Sequence, residues 1–387
     1  MPMLPAQLKN LSEALLAQAC ADRWPETLTL EFKRDLPGTG DKEKGELCKD
    51  VSAMANADGG DIVYGIAEDN GAADALVPIT AEGADSAKRR LGQVLAGVEP
   101  RINGLQLQEV AIAAGGYALV IRVPASFDGP HRFGSRFVAR TGTHIMDLTY
   151  DQLRSAFGRR ASIETSVKAF IAERREMINQ GQTRADLRGE PATMVHLVPL
   201  SSFTGRGGLN LQQMESDFLT LRFSDWGGAG FSRNLDGVLV APGGDRCVTY
   251  VQAFRNGAFE CVRYARAINV PDGKKWIWAG GVTAYIREAF QKLIAAAKNQ
   301  GATGPAVFAV SLHRVGGFTW MVSDAYNMQH AAVADRPELH LPDVLLENVE
   351  DVPDCDVVLR PLLDVLWQCF DVERCREYNA SGKWTPR

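Results

Sequence analysis

The sequence predicts an α+β fold divided between two domains. A chain of 387 residues is long for one typical domain, and its 45% hydrophobic content is enough for real cores. Residues 27–33 alternate strictly between apolar and polar side chains, as a half-buried strand does, whereas residues 43–57 place apolar side chains at helical spacing. Because both patterns recur along the chain, we expect each half to combine helices with strands.

The first domain, residues 1–158, is predicted to be a mixed α/β unit. Asp58-Gly59-Gly60 ends one predicted helix, since paired glycines are typical of a helix C-terminus. The segment 117–124 is nearly all apolar and is therefore expected to be a central strand. The elements predicted in order are helix 3–21, strand 27–33, helix 43–57, strand 61–69, strands 105–113 and 117–124, and helix 148–157.

A second α/β domain is predicted over residues 191–387, joined to the first by a helix and linker at 159–190. A charged helix over 162–178 opens that joining segment, which ends in a polar run. Strands are expected at 236–241, 247–254, 258–263 and 306–312, and helices near 279–298 and 361–377.

Composition excludes several classes of protein. The formal net charge of −5 argues against a globally basic nucleic-acid binder, so any binding of a polyanion must use a local patch. Seven scattered cysteines without a C-x-x-C pair indicate reduced thiols in the cytoplasm rather than a disulfide or zinc framework. No run of 18 apolar residues and no signal-peptide pattern occur, and the chain has no G-x-x-x-x-G-K-[ST] phosphate-binding loop.

Glu31 and Lys33 lie two residues apart on one face of the predicted strand 27–33. Metal-dependent nucleases of the E-x-K type use such a pair. The carboxylate holds Mg²⁺ or Mn²⁺, and the lysine neutralises charge near the scissile phosphate. A solvated strand face also reads E-x-K by chance, so the pair alone is a weak signal.

Two further acids strengthen the prediction of a metal site. Glu26 precedes the strand that carries Glu31, and Glu68 and Asp69 end the next strand. Three carboxylates that converge from adjacent strand ends suit a hard cation such as Mg²⁺ or Mn²⁺. The alternative is a solvated turn, since Asp69 opens a good turn sequence.

A basic segment with interleaved aromatic residues lies at 126–142. It contains His131, Arg132, Arg136 and Arg140, with Phe133 and Phe137 between them. Basic side chains hold a phosphate chain while aromatic rings stack on bases, so the segment is a candidate nucleic-acid-binding site. A hairpin whose phenylalanines reach the core is the equally open alternative.

Several segments together resemble the Schlafen AlbA-2 domain family over roughly residues 20–158. They are ETLTLEFKRDLP, ELCKDVSAMANADGGDIVYGIAED, RINGLQLQEV, LVIRVPASFDGPH and FVARTGTHIMDL. The order of these segments, their spacing and their residue types all agree with the family. The resemblance implies a mixed α/β domain with a metal-dependent endonuclease site, as in the animal Schlafens that cleave transfer and ribosomal RNA.

Carried over residue by residue, the family pattern implies that Glu26, Glu31 and Glu68 hold the metal and that Lys33 assists. An aspartate is usual at the position of Glu68, so the side chain here is one methylene longer. Nucleolytic Schlafens pair two such lobes around the RNA, and this chain shows one. A homo-oligomer is therefore expected.

The resemblance implies an endoribonuclease for structured RNA such as tRNA, in an anti-phage or stress role. The alternative is a non-catalytic regulator, or a subunit of a defence complex, that binds RNA or DNA. An ATP-linked regulator is less favoured. Residues 1–160 hold 18 Lys and Arg against 21 Asp and Glu, so the first half is itself slightly acidic.

The second half resembles a segment that commonly follows this domain in bacterial proteins. MVHLVPLSSF, RNLDGVLV and PAVFAVSLHRVGGFTW are among its recognisable pieces. The spacing of His196, His313, His330 and His340 predicts no catalytic partner for any of them, so each is expected to be structural or on the surface. A role in recognition or assembly is therefore expected for this half.

Overall fold

Helices and strands are combined in both halves of the chain, which confirms the predicted α+β class. The structure is a computed structural model that describes residues 4, 8–184, 190–204, 208–244, 247–264, 267–269, 275–302, 304–324 and 327–386. The chain divides into two units, Met1–Ser162 and Ile163–Arg387. Within these described ranges, no helix combines the length and the apolar character that crossing a bilayer requires.

The first unit alternates helices with short strands. Its helices are α1 (Glu13–Ala21), α2 (Asp41–Ala55), α3 (Ala84–Leu95) and the beginning of α4 (Tyr150–Asn179), with a 3-10 turn at Leu8–Asn10. Its strands are β1 (Leu30–Lys33), β2 (Gly60–Tyr64), β3 (Ile66–Asp69), β4 (Ala72–Leu76), β5 (Gln106–Ala111), β6 (Tyr117–Val123), β7 (Arg132–Phe133), β8 (Arg136–Thr141) and β9 (His144–Asp147).

A mixed sheet with the strand order β1-β2-β6-β5 is the centre of the first unit. β1 runs parallel to β2, whereas β6 is antiparallel to both of its neighbours. Leu30 and Phe32 share one core with α1, and Ile62 on the other face packs with α2 and α3. Because side chains alternate along a strand, Glu31 and Lys33 lie on the α2 side.

The strand predicted over 61–69 is in fact two strands, because the chain turns at Gly65. Gly65 has a φ of 96°, a left-handed conformation that favours glycine. Its N–H donates to the carbonyl of Lys33 at 2.8 Å, and β3 then pairs with β4 outside the central sheet. Glu68 therefore lies on a separate two-stranded ribbon.

The helix boundaries differ from the predicted ones for local reasons. α1 begins at Glu13, where the Ser12 side chain accepts the N–H of Leu15, and part of the predicted helix 3–21 lies outside the described residues. The helices predicted over 148–157 and 162–178 are the single helix α4, which continues through Gly158. One glycine inside a helix lowers helix stability by only about 1 kcal/mol relative to alanine.

The sequence patterns do not predict α3. Its buried stripe is only Ala87, Leu91 and Leu95, so the apolar signal is narrow and lies between charged residues. That stripe nevertheless completes the core beneath α2.

The second unit contains the rest of α4 and three further helices within the described residues. They are α5 (Leu211–Ser216), α6 (Ala279–Asn299) and α7 (Cys355–Gln368), with 3-10 turns at Leu200–Phe203 and Phe218–Leu221. Its strands are β10 (Ala192–Pro199), β11 (Gly230–Arg233), β12 (Gly237–Ala241), β13 (Thr249–Phe254), β14 (Phe259–Tyr264), β15 (Ala267–Asn269), β16 (Lys275–Trp278), β17 (Ala306–His313), β18 (Phe318–Asp324), β19 (Asn327–Val333), β20 (Leu339–His340) and β21 (Val344–Leu346).

A long sheet with the order β11-β12-β13-β14-β10-β17-β20 organises the second unit, and β21 also pairs with β17. One face packs against α6 and α7, through residues such as Phe290 and Leu363. Ile178 of α4 packs on the other face with Met194 and Tyr250. A smaller sheet follows the order β15-β16-β18-β19.

The last helix begins earlier than the predicted range near 361–377. The Asp354 side chain accepts the N–H of Asp356 at 2.8 Å and caps α7 there, and Pro361 lies within the helix. The predicted strands at 236–241, 247–254, 258–263 and 306–312 correspond to β12, β13, β14 and β17.

A charged network is buried between α4 and the long sheet. Glu260 is fully buried, and Arg174 donates to it from Nε at 2.9 Å and from Nη2 at 3.0 Å. Tyr250 donates its hydroxyl to the same carboxylate at 2.7 Å, and His196 Nε2 lies 3.2 Å away. Burial alone would raise the pKa of Glu260, but the contacts with His196 and Arg174 hold it at about 2.

Replacing Gly60 with alanine should destabilise the first unit. Gly60 has a φ of 149°, and a Cβ there would lie 2.5 Å from the backbone oxygen of Thr29. We expect Gly60→Ala to lower the free energy of unfolding by about 1–3 kcal/mol, measured by urea denaturation. Gly92→Ala is the control, because open space surrounds Gly92 in α3 and alanine should raise stability by about 0.5–1 kcal/mol. Equal effects of the two changes would contradict this account.

Replacing Glu260 with glutamine should destabilise the second unit by about 3–5 kcal/mol at neutral pH, because Arg174 loses its buried counter-ion and is left with the more distant Asp236 at 3.7 Å. The folded-state pKa of Glu260 lies below that of an ordinary glutamate. Its contribution is therefore complete above about pH 4.5 and is lost as the pH falls towards 2. The difference between wild type and Glu260→Gln in urea unfolding should accordingly shrink across that range.

Glu215→Gln is the matched control for this change. Glu215 pairs with Arg233, whose side chain is exposed, so its loss should cost at most about 1 kcal/mol. A Glu260→Gln protein as stable as this control would show that the buried pair does not hold α4 on the sheet.

Candidate functional site

The edge strand β1 carries a cluster of charged side chains on its α2 side. Glu31 is opposite Ile62 of β2 in the parallel register, and its side chain is 15% exposed. Lys33 Nζ lies 2.8 Å from Glu31 Oε1. Leu30 and Phe32 are buried on the opposite face, so the same alternation that predicts the strand also holds the two charged groups together.

Both carboxylate oxygens of Glu31 contact a cation. Arg140 Nη1 donates to Oε2, and Lys33 lies against Oε1. The Arg140 side chain is only 2% exposed, and its Nε also donates to the carbonyl of Gly142 at 3.3 Å. Burial would raise the pKa of Glu31, but Lys33 and Arg140 lower it below its usual value, so Glu31 is ionised.

Lys33 is shared with a second acid, Asp50 of α2. Its Nζ lies 2.9 Å from Asp50 Oδ2. Burial lowers the pKa of Lys33, but Asp50 and Glu31 outweigh burial and raise it, so the ammonium is charged. Burial raises the pKa of Asp50 in spite of Lys33. Sequence reasoning missed Asp50, although a carboxylate between Leu47 and Met54 on the apolar face of a helix was an available signal.

Glu26 and Glu68 lie near this cluster without joining it. Glu26 Oε1 accepts the N–H of Phe32 at 2.9 Å, and Glu68 Oε2 accepts the N–H of Gly71 at 2.9 Å. Burial raises the pKa of Glu26, and the charges of Glu31 and Glu68 add to this rise. The charges of Glu31 and Glu68 therefore both reach Glu26.

The chemistry of these three acids fits Mg²⁺ or Mn²⁺, which prefer carboxylate oxygens. Among the described residues, however, the groups whose ligand atoms all lie within 4.8 Å of one another do not include Glu26, Glu31 and Glu68. The oxygens of Glu31 are also already bound to Arg140 and Lys33.

The basic segment forms the antiparallel ribbon β7-β8-β9, which is fixed to α2 by Asn56. Asn56 Nδ2 donates to the carbonyls of His131 at 2.7 Å and Val138 at 2.8 Å. Its Oδ1 accepts the N–H of His131 at 2.6 Å. One side chain at the end of α2 thus holds both β7 and β8 in position.

Two of the four predicted nucleic-acid-binding residues are buried. The His131 ring lies 2.7 Å from the carbonyl of Pro100 and 2.5 Å from Ser126 Oγ, and burial lowers its pKa. Arg140 is occupied by Glu31. In the structure, both side chains therefore make internal contacts of the domain.

Arg132 and Arg136 are on the surface of the ribbon. Arg132 Nη2 donates to Glu99 at 3.1 Å, and Arg136 makes a two-point contact with Asp147 at 2.9 and 2.7 Å. Phe137 packs edge-on against Phe157 of α4, with ring centroids 6.0 Å apart.

An exposed apolar surface accompanies these arginines. We call it the aromatic surface, and sequence reasoning missed most of it. The name covers the exposed apolar residues of the ribbon and of the first turns of α4, which are Phe133, Met146, Tyr150 and Phe157, the last of them 65% exposed. The sequence did contain a signal for this surface, because Tyr150 and Phe157 are apolar residues within the otherwise polar first turns of α4.

Residues 26–149 match the family model described as Schlafen, AlbA_2. Among solved structures, the crystal structure of the DIP2311 protein from Corynebacterium diphtheriae is similar to part of the chain, at 20% identity and a TM-score of 0.28. That match covers 38% of this chain and 27% of the other. No curated protein matches the chain.

The matched range contains the Glu31 cluster, Glu26 and Glu68, and the β7-β8-β9 ribbon, which are the parts that carry the sequence resemblance. Residues 26–149 of this chain therefore belong to the Schlafen AlbA_2 domain family.

Proposed function

We propose that this Schlafen AlbA_2 domain is a Mg²⁺- or Mn²⁺-dependent endoribonuclease for structured RNA such as tRNA. The family supports a nucleic-acid-related function. The observation that carries the finer proposal is the group of three carboxylates beside the charged Lys33, in which the charges of Glu31 and Glu68 both act on Glu26. Cleavage of tRNA stops translation, which suits an anti-phage role.

The acids and the lysine have separable tasks in this proposal. Glu26, Glu31 and Glu68 would hold the divalent cation, whose bound form supplies an activated water and stabilises charge on the phosphorane. Lys33 is kept protonated by Glu31 and Asp50, so it offers a fixed positive charge to a phosphate oxygen.

Arg140 has a different task, since it neutralises Glu31 when no other cation is near. An unpaired carboxylate that is largely removed from water destabilises the folded state. Arg140, a residue of the same domain, offsets that destabilisation by pairing with Glu31. The proposal therefore requires that Arg140 and the divalent cation compete for the same oxygens of Glu31.

The surface of the ribbon supports RNA contact. Arg132 and Arg136 place positive charge beside the aromatic surface, where exposed rings such as Phe157 suit stacking on unpaired bases. Their ion pairs with Glu99 and Asp147 are exposed and contribute little free energy, so the arginines can exchange these partners for phosphate groups. A second copy of the chain would supply a second such surface on the opposite side of a structured RNA.

The rival function is a non-catalytic nucleic-acid-binding regulator or defence-complex subunit. The observation that favours it is the full engagement of Glu31 by Arg140 and Lys33. If those ion pairs persist when RNA binds, the cluster is structural and the domain only recognises its target.

The cleavage prediction is tested with the full-length protein. We expect it to cut total tRNA with Mn²⁺ or Mg²⁺ and not with EDTA. Glu31→Gln and Glu26→Gln should each lower the cleavage rate by at least about tenfold while RNA binding persists, because the acids act on the cation and not on RNA affinity.

Glu46→Gln is the matched control, because Glu46 is an exposed acid on α2, the helix that carries Asp50. It should cut as wild type does. Urea unfolding of each variant separates lost chemistry from lost folding. Retained RNA binding without cleavage in any metal would reject the nuclease and favour the recognition module.

The binding prediction concerns the ribbon. The double change Arg132→Ala and Arg136→Ala should weaken RNA binding, and the slope of log K against log salt should become shallower by about one unit per lost phosphate contact. Arg89→Ala, an exposed arginine on α3, is the control and should leave the slope unchanged. An unchanged slope in the double variant would remove the ribbon from the binding surface.

A further inference from the structure

A second cluster of polar side chains lies in the second unit, at the end of strand β17. His313 is the last residue of β17, and β20 runs antiparallel beside it with Ser311 opposite His340. Glu338 immediately precedes β20. Because side chains two residues apart share a face of a sheet, Ser311 and His313 face the same side as Glu338 and His340.

The distances in this cluster match those between ligands of one metal ion. His313 Nδ1 lies 3.4 Å from Glu338 Oε1, and His340 Nε2 lies 3.5 Å from Glu338 Oε2. The ligand atoms of the three residues all lie within 4.8 Å of one another. Bonds of about 2.0–2.1 Å at tetrahedral angles around Zn²⁺ would put neighbouring ligand atoms about 3.3–3.4 Å apart.

His313 and Glu338 share a partner, the side-chain amide of Asn179. Asn179 Nδ2 lies 2.9 Å from His313 Nδ1 and 3.0 Å from Glu338 Oε1, and an amide nitrogen only donates. In the tautomer that accepts from Asn179, His313 Nδ1 and Glu338 Oε1 are two acceptors that face each other. A cation bound between them would take the place of this amide donor.

The other ring nitrogen of His313 has the partner that a metal ligand needs. His313 Nε2 lies 3.1 Å from Ser311 Oγ, an oxygen that can accept the Nε2 proton in the tautomer that a metal ion at Nδ1 requires. The sequence spacing gave no partner for His313 or His340, because their pairing arises from the β17–β20 register.

The charged neighbours of the cluster are also defined. Arg175 of α4 acts on both imidazoles, and its own charge is offset by Asp343 and Glu338. Its Nε and Nη2 atoms are buried and have no hydrogen-bond partner among the residues that the structure describes. These free donors suit an anionic or water ligand in the fourth coordination position that a site with three protein ligands leaves open.

We propose that His313, Glu338 and His340 form a Zn²⁺ site, oriented by Ser311 and Asn179. The exposed side chain of His340 gives the ion a path from solvent, while His313 is 1% exposed and anchors the site. The site belongs to the second unit and does not depend on the nuclease activity proposed for the first.

Zinc content and affinity test the site. The full-length protein is purified without a histidine tag, stripped with a chelator and titrated with Zn²⁺ by calorimetry, and with Co²⁺ by absorption spectroscopy. We expect one ion per chain and a Co²⁺ spectrum typical of four-coordinate sites. His340→Ala and Glu338→Gln should each weaken binding by more than about 100-fold, and Ser311→Ala by about tenfold.

Two controls keep the outcome decisive. His144→Ala removes an exposed histidine of the first unit, and Cys355→Ser alters the other group of neighbouring ligand atoms, Asp354, Cys355 and Asp356. Both should bind Zn²⁺ as wild type does. Because His340 and Glu338 are partly exposed, their variants should fold without metal. Absent binding, or binding that only Cys355→Ser abolishes, would overturn the proposal.

Discussion

A buried carboxylate in each unit requires a cation, and that requirement decides which element packs over the sheet. An unpaired buried charge is among the most costly features a fold can contain. Glu31 is met by Arg140, 109 residues away along the chain, and Glu260 by Arg174 of α4. The β7-β8-β9 ribbon and the end of α4 are therefore held by charge as well as by apolar contact.

The same chemistry gives the Glu31 cluster its functional meaning. Arg140 and Lys33 keep Glu31 ionised in a place where burial alone would favour protonation. An ionised and partly shielded carboxylate is ready to exchange one cation for another. The charge of Glu31 is thus balanced by side chains of the domain, and the metal site that we propose does not require the protein to fold around an ion.

Elements that follow from local spacing could be predicted from the sequence, whereas contacts that depend on tertiary packing could not. The alternation in 27–33 predicts β1 and places Glu31 and Lys33 on one face. The turn at Gly65 was missed because an apolar run on both sides of one glycine also reads as a single strand. The family resemblance directed attention to Glu26, Glu31 and Glu68 but gave no sign that Asp50 shares Lys33.

Long-range partners are the other part that the sequence does not contain. His131 and Arg140 read as free basic groups, and only the folded chain supplies Ser126 and Glu31 as their partners. His313 and His340 read as isolated histidines for the same reason, because a strand register brings them together. Contacts between residues far apart in the chain are thus the ones that spacing patterns do not predict.

The attachment of the ribbon through Asn56 makes the domain sensitive to chemical ageing. Its amide nitrogen donates to two carbonyls while its oxygen accepts an N–H, and only an amide can do both. Deamidation to aspartate changes almost nothing in shape, but it turns both donors into an acceptor that faces two carbonyl oxygens. A single spontaneous hydrolysis would therefore remove the two hydrogen bonds that Asn56 donates to β7 and β8 and weaken their attachment to α2.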